Sequence, residues 1–306
     1  MNAPLTPLTI DRFLGRDLDD RSAPRIVLLG FPSDEGVRRN NGRAGASLAP
    51  AAIRDALRAA TIEDDPTLTQ LLACTRDAGN VPVLGQMELD QKRLGQAVGS
   101  WLRLGSIPII LGGGHETAYG HFLGHVDAGQ TVAILNWDAH ADVKNLAEGM
   151  GHSGTPFRQA VLHSSRACRQ YVGAGLLEER LDPSYLEFIA AHGGKYVMCR
   201  DLSPEVVDRL YSELHSPLMA TFDMDAVDRA FAPGVSAPAA GGLEPKLWLR
   251  AAFMAGRYSQ TLSMDVAEIN PKFDTADGRT ARLAAATVLS FIRGIAARAA
   301  AGPGDC

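Results

Sequence analysis

Thr131-Val132-Ala133-Ile134-Leu135-Asn136 runs straight into Trp137-Asp138-Ala139-His140-Ala141-Asp142, and the join between these two blocks decides the fold. The first block is aliphatic with no polar alternation, as a strand buried on both faces requires. The second sets three ionisable side chains two residues apart, just where the strand ends. The same order recurs twice: Ile107–Leu111 leads into Gly112-Gly113-Gly114-His115-Glu116, and Leu218–Phe222 leads into Asp223-Met224-Asp225-Ala226-Val227-Asp228. Open α/β sheets build their sites in the crevice beyond the carboxyl ends of their strands.

Outward from these joins, apolar runs alternate with helical stretches. Arg25–Phe31, Leu71–Thr75, Tyr196–Cys199 and Thr261–Val266 read as further strands. Pro50–Ala60, Gln86–Leu104, Pro204–Leu214 and the Ala-rich Arg279–Ala300 read as helices. This alternation predicts an α/β protein with a parallel sheet. The Pro-, Gly- and Ala-rich segment Ala232–Gly242 follows a strand and reads as an ordered loop near the site, so residues 1–306 are expected to form one domain.

Composition excludes several classes of function. Hydrophobic residues make up 46% of the 306, enough to fill a core without disulfides or structural metals. Thirty Lys and Arg against 35 Asp and Glu give a net charge of −5, so no broad basic field is present to hold nucleic acid or anionic lipid. Apolar runs such as Leu283–Ile292 fall short of the roughly 18 residues that span a bilayer. Met1 to Asp20 has acidic residues and no apolar core, so no secretory signal is expected. Cys74, Cys168, Cys199 and Cys306 form no Cys-x-x-Cys pair and read as reduced thiols of a cytoplasmic protein.

A lone Asp-x-Asp is most often a turn, and a lone Gly-Gly-Gly-His most often a loop with an incidental histidine. Three such segments after three strands ask for a different account. In extended chain, Asp138, His140 and Asp142 point to one side. Crowded at a buried strand end, their carboxylates repel one another and resist desolvation, and Asp223 and Asp225 repeat the problem. Bound cations resolve both. The four charges of Asp138, Asp142, Asp223 and Asp225 match two divalent ions, and carboxylate oxygen with imidazole suits Mn²⁺ better than a thiolate-preferring metal. Two ions about 3.5–4 Å apart can share a water and lower its pKa towards neutrality.

The Gly-Gly-x-His, Asp-Ala-His-x-Asp and Asp-x-Asp-x-x-Asp segments, in this order, resemble those of the ureohydrolase family, which holds arginase, agmatinase and formimidoylglutamase. The resemblance runs from about Gly30 to Ile292. It implies an arginase-like three-layer α/β/α fold and a centre of two Mn²⁺ per subunit. One ion would take His115, Asp138, Asp142 and Asp223; the other would take Asp138, His140, Asp223 and Asp225. Asp228 would brace its loop without ligating. Family members are commonly oligomers, which implies a homo-oligomer, although no interface signature stands in the sequence.

Within the family, the chain is most similar to the formimidoylglutamase branch. Glu35-Gly36-Val37-Arg38-Arg39-Asn40-Asn41-Gly42-Arg43-Ala44-Gly45-Ala46 and Ser153-Gly154-Thr155-Pro156-Phe157 match elements of that branch. Gly234-Val235-Ser236-Ala237-Pro238 stands where arginase and agmatinase carry Gly-Thr-x-x-Pro, and Lys144 stands where arginase has Asn. The implied reaction belongs to histidine degradation: hydrolysis of N-formimidoyl-L-glutamate to L-glutamate and formamide by a metal-activated hydroxide. A tail with two carboxylates needs cations, and Lys144, Arg43, Arg39 and Arg158 are the candidates. Glu268, in Asp265-Val266-Ala267-Glu268-Ile269-Asn270-Pro271, resembles the family's substrate-orienting residue and would hold the amidinium. Asp142 would take the nucleophile's proton, and His152 matches the proton-shuttle position.

Trp137, Ala141, Val143 and Lys144 depart from the branch's usual Phe, Phe, Leu and Arg, and Tyr171–Glu179 matches it poorly. The alternative within the family is a guanidine hydrolase acting on arginine, agmatine or a guanidino acid and releasing urea. A deacetylase of the same broad fold typically keeps one zinc and fewer carboxylates, against the intact His115 and Asp142. A non-catalytic scaffold would have lost a ligand, and none is lost.

Overall fold

The computed structural model describes residues 8–9, 25–62 and 65–299. Most of Met1 to Asp20, Ala300 and Cys306 lie outside them. The eight strands of the main sheet are β1 (Ile26–Gly30), β2 (Thr75–Asn80), β3 (Ile107–Leu111), β4 (Val132–Trp137), β5 (Cys168–Leu176), β6 (Lys195–Met198), β7 (Leu218–Asp223) and β8 (Thr261–Ala267). Their order across the sheet is β2-β1-β3-β8-β7-β4-β5-β6. Every pairing in this sheet is parallel.

The central strands are largely apolar and almost wholly buried because helices cover both faces. Along β1, Ile26 and Leu28 enter one core while Val27 and Leu29 enter the other. Along β4, Ala133, Leu135 and Trp137 face the first core, and Val132 and Ile134 face the second side. The first face carries α2 (Ala49–Ala59), α3 (Pro66–Ala73), α8 (Pro204–Ser212), α9 (Pro245–Arg257) and α10 (Arg279–Ala299). The second carries α4 (Met87–Arg103), α5 (Thr117–Asp127), α6 (Pro156–Val161) and α7 (Pro183–Ala191). The result is the three-layer α/β/α arrangement. A short α1 (Glu35–Arg39) follows β1 and borders the site.

Helix α10 is long and apolar enough, by length and composition, to cross a membrane, yet most of it is buried against α9 and α2. The approach is close: a Cβ at Gly294 would stand 2.1 Å from the carbonyl oxygen of Phe253 on α9. Trp137 and Trp248 are fully buried beside Phe222. The Trp137 indole donates to Tyr211 (2.9 Å) and the Trp248 indole to Thr287 (2.7 Å), so neither polar edge is stranded. Burial of each such side chain contributes about 2–3 kcal/mol.

Two readings of the sequence need correction. Leu71–Thr75 is not a strand. Leu71–Ala73 closes α3, which starts at Pro66 with Asp65 accepting from the amides of Thr67 and Leu68. The strand β2 comes after it, polar in sequence because it is a sheet edge. The strand β5 was not foreseen: its first third, Cys168-Arg169-Gln170, is partly exposed, and two glycines interrupt its buried remainder.

Candidate metal centre and cleft

The four central strands β3, β8, β7 and β4 are neighbours, so the segments at their carboxyl ends converge. The convergence does not come from extended chain, as the two-residue spacing suggested. Each leading aspartate turns back on its own backbone instead. Asp138 Oδ1 accepts from the His140 amide at 2.7 Å, and Asp223 Oδ1 accepts from the Asp225 amide at 2.7 Å. Such turns suit aspartate and curl the chain, gathering the side chains. Asp138 and Asp223 are left with Oδ2 towards the His115 ring, at 3.3 and 3.0 Å from Nδ1, and Asp142 Oδ2 lies at 2.9 Å.

Ligand atoms of His115, Asp138, Asp142 and Asp223 all lie within 4.8 Å of one another, as do those of His140, Asp223 and Asp225. His140 Nδ1 is 3.3 Å from Asp138 Oδ1, which brings Asp138 to the second group as well. The histidine-bearing turn needs its glycines. A Cβ on Gly113 would meet the Ser33 carbonyl oxygen at 1.8 Å, because this loop lies directly on the segment after β1. His115 Nε2 faces Thr221 Oγ1 at 2.9 Å, fixing the ring with Nδ1 towards the carboxylates. Asp142 and Glu268 hold left-handed backbone, at φ 47° and 67°, as does Asn41 at 59° in the cleft wall. Strain of this kind persists where the surroundings hold it and gathers at working sites.

The electrostatics show a surplus of negative charge. Burial, then the Asp138 and Asp225 carboxylates, push Asp223 well above the usual carboxylate range. Burial raises Asp225 to about 6. Burial opposes charge on His140, yet its contacts with Asp138 and the charges of Asp225 and Asp142 raise it to about 9. Burial also opposes a charged His115, but the carboxylates around it hold the ring well above its ordinary value. The chain by itself balances its carboxylates only by gathering protons. Divalent cations supply the same compensation, and a donor set of carboxylate oxygen and imidazole nitrogen without thiolate fits Mn²⁺.

Above this cluster lies a cleft of about 270 Å³, close to the small end of the usual range for small-molecule sites. His140, Asp142, Asp223, Asp225 and Glu268 line it. A larger apolar groove of about 710 Å³ runs beside Leu202, Leu247 and Phe253, where no ligand cluster of this kind converges among the described residues. Glu268 Oε1 accepts from the His115 amide at 2.6 Å, while the buried Oε2 has no hydrogen-bond partner within bonding geometry among the described residues, with the Ser236 side chain beside the carboxylate. Burial, followed by the charges of Asp225 and Glu116, pushes this carboxyl well above its ordinary range.

The predicted cations divide. Lys144 and Arg43 line the cleft. Lys144 Nζ donates to Asn40 Oδ1 at 3.1 Å. Arg43 packs its guanidinium 4.1 Å from the Phe273 ring centre and donates to the carbonyls of Val235 and Pro233. Arg39 and Arg158 are not in the cleft wall. Arg39 pairs with Glu88 (2.5 Å) and Glu35 (3.3 Å), binding α1 to α4. Arg158 donates to the Val143 carbonyl at 2.7 Å and lies 4.0 Å above the Phe188 ring. The structure adds Arg180, Asn40 and Ser236 to the wall. Arg180 follows β5, the strand the sequence concealed.

His152 is buried just behind the wall formed by its neighbour Ser153. Its Nδ1 accepts from the Gly154 amide at 3.1 Å, which leaves Nε2 to carry the proton. Burial and then the Lys144 charge lower its pKa, so the ring is neutral near pH 7. Asp228 accepts from the amides of Ala230 and Gly241 at 2.8 and 2.7 Å, tying the ends of the Ala232–Gly242 loop. Tyr171 of β5 donates to the Ala141 carbonyl at 2.7 Å and steadies the Asp138–Asp142 segment from below.

The model of the arginase family matches residues 24–293. A formimidoylglutamase of Geobacillus kaustophilus is 37% identical over 285 residues, covering 89% of this chain and 85% of its own. One from Rhodococcus jostii is 37% identical, covering 88% and 85%. A crystal structure of Trypanosoma cruzi formiminoglutamase with Mn²⁺ superposes with a TM-score of 0.86 at 26% identity, covering 96% of this chain and all of the other. With the ligand cluster at the rim of a parallel sheet, these matches place the chain in the arginase family.

Proposed function

We propose that this protein is a formimidoylglutamase, hydrolysing N-formimidoyl-L-glutamate to L-glutamate and formamide with two Mn²⁺ per subunit. The observation that carries the reading is the six-residue carboxylate and imidazole cluster on the floor of a small cleft whose wall bears cations. Relatives named formimidoylglutamase support the choice of substrate.

A pair of divalent ions bound here supplies Lewis acidity and a hydroxide nucleophile from water near neutral pH. The chain's own residues do the rest. His115, Asp138, His140, Asp142, Asp223 and Asp225 hold the ions. Glu268 Oε2, buried and without a hydrogen-bond partner among the described residues, accepts from the amidinium and fixes the electrophilic carbon over the floor of the cleft. The amidinium in turn keeps Glu268 ionised against the burial that would neutralise it. Asp142, a cleft-lining carboxylate, accepts the proton that water gives up. His152, close enough to Asp142 to feel its charge, passes a proton to the departing glutamate amine. Lys144 and Arg43 attract the dianionic tail.

Residues 1–306 act as one catalytic domain in this reading. The unbridged thiols of Cys168 and Cys199 favour a reducing cytoplasmic setting, and homo-oligomers are expected as elsewhere in the family. The test is a substrate panel with Mn²⁺, scoring formamide against urea. Formamide from N-formimidoyl-L-glutamate, with no urea from arginine or agmatine, is expected. Urea as the only product would replace this reading with a guanidine hydrolase.

A further inference from the structure

Ten buried side-chain polar atoms lack a partner among the described residues, and four of them, on Arg43, Arg180, Ser236 and Glu268, belong to residues that line this one cleft. Glu268 is accounted for above. Arg180 is not. It ends the short turn Glu178–Arg180 after β5, and one nitrogen, Nη2, donates to the Pro238 carbonyl at 2.9 Å. That bond pins the Ala232–Gly242 loop, but it uses a single donor and leaves the charge unanswered. Nε is buried with no acceptor among the described residues. The neighbouring Glu178 is paired with Arg200, and no carboxylate among the described residues pairs with Arg180. A guanidinium held in this way, with a donor free and its charge uncompensated, is built to meet a carboxylate.

Among the described residues, Lys144 is the other cation of the wall with no carboxylate partner and no aromatic ring beneath it. It is anchored on the α1 side through Asn40, whereas Arg180 is anchored on the loop side through Pro238. We infer that Arg180 receives one carboxylate of the substrate's dicarboxylate tail and Lys144 the other, so that separate cations select a tail with two negative charges. This rests on the proposed function and names a specificity-determining residue for it.

The Mn²⁺-loaded chain and its Arg180→Ala and Arg180→Lys variants are assayed on four substrates: N-formimidoyl-L-glutamate, its α-amide, its γ-amide, and N-formimidoylpropylamine, which has no carboxylate. With Arg180→Ala, KM for the dianion is expected to rise about 100-fold, with kcat within about threefold and metal content unchanged. The penalty is expected to shrink below about fivefold on one of the two amides and to vanish on the propylamine, and Arg180→Lys to recover part of the loss. An unchanged KM, or an equal loss on all four substrates, would overturn the inference. A wild-type chain that releases formamide while Arg180→Ala matches it defeats only the role of Arg180. A wild-type chain inactive on all four defeats the functional reading, and this inference with it. Should Arg180→Ala fail to fold, Arg180→Gln keeps a donor for Pro238, and its calorimetric affinity for L-glutamate is expected to fall at least about tenfold. Undiminished affinity would overturn the inference.

Discussion

His121 and His125 are as deeply buried as His115, and Asp265 is as deeply buried as Asp138, yet the two sets are built to different ends. In the first, His121 Nδ1 bonds Asp265 Oδ2 at 2.6 Å and Nε2 bonds Ser263 at 2.6 Å. His125 meets Ser263 at 2.8 Å and Gln130 at 3.1 Å, and Thr221 donates to Asp265 Oδ1 at 2.8 Å. One carboxylate serves His121, the Ser263 hydroxyl joins the two rings, and every ring nitrogen has a partner. Burial and then the neighbouring His121 lower His125 to about 3, so that ring is neutral. Nothing there calls for an ion. In the second set, four carboxylates surround two imidazoles on the floor of a cleft, and the balance is negative. Burial of a histidine therefore says little about metal binding. The ratio of carboxylate to imidazole, and whether the hydrogen bonds close among themselves, says much.

Each side of that contrast can be broken. Asp138→Asn removes a shared charge from the surplus set; metal analysis and formamide release are expected to show loss of the ions and a rate lower by about four orders of magnitude. Two Mn²⁺ retained per chain would refute the ligand assignment. Glu268→Gln leaves the ligand set whole, so metal content should stay at two while kcat/KM falls roughly 10²–10³-fold. Normal kinetics would remove Glu268 from the reaction.

Asp265→Asn strikes the balanced set. Chemical denaturation should show a loss of about 3 kcal/mol, since two buried donors lose a charged acceptor. The metal should still bind, about tenfold more weakly, because Thr221 links Asp265 to His115. Complete loss of metal would mean the two sets work as one.

Glu116 gives the smallest effect. Burial raises its carboxyl to about 7, although it accepts from the Gly36 amide and Ser33. The folded protein keeps a proton that the unfolded chain releases above about pH 4.3, so this contribution is full below that pH and is lost as pH rises through 7. In metal-stripped protein, Glu116→Gln should therefore gain about 2 kcal/mol on wild type between pH 5 and pH 8, read from melting at both. A constant difference would contradict the burial argument.

What the sequence made legible follows the same physics. Strands such as Ile107–Leu111 and Leu218–Asp223 are apolar because both faces are covered, and the ligand motifs stand out as charge at the ends of those runs. The edge strand Thr75–Asn80 is polar, and Cys168–Leu176 starts polar and is broken by two glycines, so neither was foreseen. With β5 hidden, Arg180 was hidden too. The need for cations pointed to Arg39 and Arg158 as well as to Lys144 and Arg43, but a cation's use depends on what it already touches: Glu88 and Glu35 for Arg39, Val143 and Phe188 for Arg158. Only tertiary structure reveals that. The curl of Asp138 and Asp223 onto their own backbones was likewise invisible in a spacing that fits extended chain equally well.

The most direct measurement is anomalous diffraction at the manganese edge from crystals of the Mn²⁺-loaded chain. Two peaks about 3.5 Å apart, enclosed by His115, Asp138, His140, Asp142, Asp223 and Asp225, are predicted. Crystals with no peak among these six side chains would contradict the account.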